Sequence, residues 1–193
     1  MFKQSIHHYC LREWLALANP EFAKRVHLRT LPPPYMVEAI SNQLIDGFCV
    51  GEPWNTQAEI QGYSQIIATG SDIIPRVADK VLAVTQEWAI SNPNTLAALV
   101  QAIQKAQVEL KQMQDLEPVW QVLVDYNIIR FACSASVHVE KYHLIQNIIR
   151  GFIPEQAQPQ VSDFVWLTQQ MHNWDDVHLE SDEIHNISEN CVI

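Results

Sequence analysis

The chain has 193 residues, 48% of them hydrophobic, and a net charge of −10. That is enough to bury a core in one ordinary domain or two small lobes, and it excludes a disordered chain. No Lys or Arg follows Gly151, where eight of the 22 acids stand, so the first 150 residues hold 12 bases against 14 acids, a net of −2. With no basic stripe, direct nucleic-acid binding is excluded. No stretch of about 18 apolar residues predicts a membrane span.

Ser5 is placed to cap a helix through Ile6, Tyr9, Cys10, Leu11, Trp14 and Leu17, which Asn19-Pro20 ends. Arg25 to Leu31 alternates like a strand and stops at Pro32-Pro33-Pro34. A helix from Tyr35 to Leu44 follows, then the strand Phe48–Val50, a helix from Thr56 to Gln61 and a strand from Gln65 to Thr69. This alternation predicts an α/β fold with a parallel-rich sheet, whose ligands sit beyond the carboxyl ends of strands and near helix N-termini. Lys80 to Thr85 reads as one more buried strand. Helices are expected from Asn94 to Met113, Pro118 to Tyr126, Val139 to Ile149 and Pro159 to Met171, so the second half is mostly helical. From Asp175 the chain is an acidic tail, expected to be frayed and solvated.

Gly47-Phe48-Cys49-Val50-Gly51-Glu52-Pro53-Trp54-Asn55 carries the strongest functional signal. A short apolar run ends at a residue with no side chain, where an anion can approach the backbone N–H. Trp54 would wall the pocket, His7 lies in the first turn of a helix whose dipole favours an anion, and Lys80 supplies a fixed positive charge. Together, His7, Gly51, Lys80 and Trp54 suit a small oxyanion. Cys10, Cys49, Cys133 and Cys191 form no Cys-x-x-Cys pair, which argues against a zinc or redox motif. His172, His178 and His185 among the tail acids lack a rigid ligand spacing, so no metal or other cofactor is expected. Ser134 and Ser136 near His138 and His143 lack a nucleophile elbow, so no catalytic residue is expected and the chain is not read as an enzyme.

Three stretches resemble one family: Ser5-Ile6-His7-His8-Tyr9-Cys10-Leu11-Arg12-Glu13-Trp14-Leu15-Ala16, Leu31-Pro32-Pro33-Pro34-Tyr35-Met36-Val37, and Ile45 to Asn55, the most specific. Lys80 to Thr85 and Trp88…Asn92-Pro93-Asn94-Thr95 follow in the same order. The resemblance is to the nitrate-binding proteins of ABC uptake systems and the NasS-type cytoplasmic nitrate sensors, dense from Ser5 to Leu110 and weaker beyond. It implies a type II periplasmic-binding-protein fold, with 1–70 as the second α/β lobe. Residues 71–193 would be the hinge-return strand and C-terminal helices of an incomplete first lobe. It further implies that His7, Gly51 and Lys80 contact nitrate or nitrite, with an ABC permease as partner. In the sensor alternative the partner is an RNA-binding antiterminator; a remnant without ligand binding is the third reading. Met1 to His8 has no secretory signal, so the chain as given reads as cytoplasmic, or as periplasmic or membrane-associated if a leader and first lobe precede it. Helices shaped to cover an absent sheet would leave apolar surface exposed.

Overall fold

The computed structural model describes residues 3–74, 79–128, 143, 146, 147, 150 and 158–192. The chain divides into two compact units, one of Met1–Asp79 with Pro159–Ile193, the other of Lys80–Gln158.

The first unit is built from α1 (Ile6–Ala18), α2 (Pro20–Arg25), α3 (Met36–Ser41) and α4 (Trp54–Ile60), joined by two helices from the end of the chain. We number these by their place in the chain, α8 (Val161–Asn173) and α9 (Ser181–Asn190). Ser5 caps α1 as its sequence predicts, its hydroxyl accepting the His8 N–H at 3.3 Å. Asn19 then caps α2 by accepting the Phe22 N–H at 3.0 Å. α1 packs on α2 and α8, α3 on α4, and α8 on α9. Tyr9, Ala23, Met36, Val37, Ala39, Ala58 and Ile184 are the buried apolar residues these contacts produce.

α3, α4 and α8 end alike. Each is closed by a residue with positive φ, respectively Gln43 (57°), Gly62 (76°) and Asp175 (58°). In each case the next N–H reaches back to a carbonyl five residues earlier: Leu44 to Ala39, Tyr63 to Ala58, Asp176 to Met171. This left-handed closure satisfies carbonyls that a helix end would otherwise leave orphaned.

The second unit holds α5 (Gln86–Ser91), α6 (Pro93–Gln112) and α7 (Glu117–Asp125). Leu116 and Trp120 are fully buried there. α7 has the same left-handed closure, at Asn127. α6 covers almost the expected span, yet Leu99, Val100, Ile103 and Val108 on it are exposed, so its apolar positions are largely open.

The expected sheet is not there. Among the described residues no segment pairs as a strand, and the α/β expectation with its parallel-rich sheet is corrected to a helical fold with extended connections. Alternation was nonetheless real: in Arg25 to Arg29 and in Gln65 to Thr69 alternate residues are exposed and half-buried. Val26, Thr69 and Thr85 have extended dihedrals. A period of two reports an extended segment with one covered face; it carries no information on whether another backbone lies alongside. Lys80 to Thr85, read as a buried strand, is mostly exposed.

The acidic tail is also corrected. It folds as α9, whose Ile184 and Ser188, four residues apart, are buried. Its start is fixed by the Glu180 N–H donating to Glu183 Oε2 at 2.9 Å. The helix expected from Val139 to Ile149 lies largely outside the described residues. No helix among the described residues is long and apolar enough to cross a membrane.

Candidate functional site

α1 presents His7 in its first turn, and the Gly47–Pro53 segment passes beside it. A methyl group at Gly51 would lie 3.6 Å from His7 Nε2, so the imidazole edge faces a residue without a side chain. His7 and Gly51 are both half-buried. The chain then enters α4 through a cis Glu52–Pro53 bond, and Trp54, half-buried, is the first residue of that helix. Two side chains fasten the turn: Asn55 Nδ2 donates to the Val50 carbonyl and Glu52 Oε2 accepts the Thr56 N–H at 3.2 Å. Burial raises the Glu52 pKa, and the hydrogen bond from Thr56 opposes that rise.

The structure therefore brings two predicted residues, His7 and Gly51, together and places Trp54 three residues beyond. Lys80 is the first residue of the second unit and is exposed. Burial pushes the Cys10 thiol up to about 12 and the Cys49 thiol up to about 11.

A polar knot at Tyr9, two residues beyond His7, has no signal in the sequence. Asp176, assigned to a solvated tail, has a side chain only 3% exposed. It accepts the Tyr9 hydroxyl at 2.7 Å and the Lys3 ammonium at 2.9 Å. Burial pushes its pKa up, but the hydrogen bonds from Lys3 and Tyr9 outweigh this and hold it below the usual carboxylate value. Alongside, the Arg12 guanidinium lies 5.5 Å from the Trp174 ring centroid and donates to the Ala23 carbonyl. His8, edge-on to Tyr9, has its pKa lowered by burial and by Arg12. Tyr9 and Asp176 are 167 residues apart in sequence, a separation no local pattern signals.

Among the described residues no three His, Cys, Asp or Glu side chains form a metal-ligand group. His172 Nδ1 accepts the Leu179 N–H at 3.3 Å, and His185 lies 3.0 Å from Glu189.

The imidazole of His7 and the bare backbone at Gly51 stand beside the start of α4 in a stretch of chain that matches known proteins. Residues 1–124 match the NMT1-like family, and the chain belongs to it. It is 31% identical to the bicarbonate transport ATP-binding protein CmpC of Synechocystis sp., over 98% of this chain and 30% of that protein. It is 42% identical to the nitrate import ATP-binding protein NrtC of the same organism, over 53% of this chain and 15% of that protein. With the nitrate/nitrite binding protein NrtA of Nostoc sp. it shares 33% identity, over 72% of this chain and 32% of that protein. The chain thus spans about 30% of the length of the curated relative that it matches almost end to end. No solved structure matches it.

Proposed function

We propose that this chain is the anion-recognising portion of a solute-binding component of an ABC uptake system, with nitrate or nitrite as ligand. Its chemistry is binding, not turnover. The observation that carries the reading is the close approach of His7 Nε2 to Gly51 in the stretch most like the nitrate-binding proteins. His7 supplies a donor, Gly51 a backbone N–H and Trp54 an apolar wall that keeps water out. Bicarbonate, which the name of the relative CmpC carries, is also a planar monoanion and is the direct competitor. The partner on this reading is an ABC permease.

Isothermal titration with nitrate, nitrite and bicarbonate tests it. Heat with nitrate or nitrite that is abolished in His7→Ala supports the assignment. A response to bicarbonate alone reassigns the ligand, and equal negligible heats for all three remove direct anion recognition by this chain.

A further inference from the structure

The close approach of His7 to Gly51 also fixes a register. Positions 7 and 10 lie three apart on α1 and share a face of that helix, so Cys10 stands one turn beyond His7 on the side turned toward the 47–53 segment. Cys49 lies two residues before Gly51 on that segment. The same docking that sets His7 against Gly51 therefore sets Cys10 toward Cys49. Electrostatics agree, since after burial itself the interaction with Cys49 is the largest that raises the Cys10 pKa. Cys10 is buried, Cys49 is half-buried, and both are free thiols.

We propose that Cys10 and Cys49 close into an intramolecular disulfide when the folded protein meets a small-molecule disulfide oxidant, pinning α1 to the segment that bears Gly51. The Cys49 thiolate attacks the oxidant's S–S bond, forming a mixed disulfide and releasing one thiolate. The Cys10 sulfur, giving up its proton, then attacks the mixed disulfide at Cys49 and releases the second. Two thiols become one disulfide, and the oxidant takes up two electrons and two protons to become two thiols. A thiol with a pKa of about 11 is ionised at pH 8 only to roughly one part in a thousand, so closure is slow at neutral pH and accelerates about tenfold per pH unit. The inference concerns the thiols and stands whichever anion the site takes.

The test uses the full chain and its Cys133→Ser/Cys191→Ser variant, each incubated with oxidised glutathione at pH 8.5 and analysed by thiol titration, intact mass and peptide mapping. The expected result is loss of both thiols in the variant, a mass lower by two hydrogens, and a linked Cys10–Cys49 peptide in both proteins. The melting temperature should rise and return on reduction. Glutathione adducts without the linked peptide, or thiols that persist while the urea-unfolded chain is oxidised, overturn the proposal. If the variant does not fold, peptide mapping of the unsubstituted chain decides alone, pairing of Cys10 with Cys133 or Cys191 counting against it.

Discussion

Tyr9→Phe isolates the hydrogen bond that ties α1 to the chain's far end. The substitution keeps the ring of a side chain with no exposed surface and removes only the hydroxyl that Asp176 accepts at 2.7 Å. Asp176 is ionised and nearly buried, so a charged acceptor loses one of two partners, at a cost of about 2 kcal/mol. Lys3, the other partner, is 73% exposed, so water screens its attraction and Lys3→Ala costs less than about 1 kcal/mol. On a chain of this size, 2 kcal/mol is a fall of roughly 4–8 °C in melting temperature. Circular dichroism at 222 nm, read on the transition of the unit formed by 1–79 and 159–193, measures both variants. Because the Asp176 pKa is depressed on folding, its contribution is present above the unfolded value near 3.8 and is lost as pH falls through the folded value. The gap between Tyr9→Phe and the parent should therefore narrow below pH 3.8. A Tyr9→Phe effect under about 0.5 kcal/mol, or a larger one for Lys3→Ala, would refute the account of which partner holds the carboxylate.

His8 is neutral in the folded state because burial and Arg12 lower its pKa, so as pH falls below 6.5 the unfolded chain takes up a proton the folded one refuses. Urea unfolding between pH 7.5 and 5 should show stability declining with acid, and His8→Gln should flatten that decline; an unchanged slope rejects the assignment. Gly51→Ala places a methyl at ordinary contact distance from His7 Nε2, so folding should survive while anion heats in titration weaken severalfold or more. Undiminished binding would mean that this approach is not the ligand's. Asp175→Gly relieves a left-handed backbone and should stabilise by about 0.5–1 kcal/mol in thermal melts; destabilisation would contradict the cap.

Local chemistry fixed what lay within a turn or two of chain. Ser5, Asn19-Pro20 and the apolar spacing from Leu96 to Leu110 placed the two ends of α1 and the span of α6 almost to the residue, because caps and helical periodicity act over three or four positions. The proximity of His7 and Gly51 was legible only through motif likeness, and its measure, 3.6 Å from His7 Nε2 to a methyl built at Gly51, comes from the fold. Alternating residues at Arg25–Arg29 and Gln65–Thr69 spelled out extended chain, but a ladder needs a second backbone that no local pattern names, and none pairs there among the described residues. The acidic residues after Asp175 were misjudged for the same reason. Composition prices such a stretch as solvated, and only packing of Ile184 and Ser188 against α8, with the left-handed turn at Asp175, buries Asp176 against Tyr9. Short-range order belonged to the sequence; which charge is hidden, and from what, was decided by tertiary contact, since desolvation depends on neighbours far along the chain.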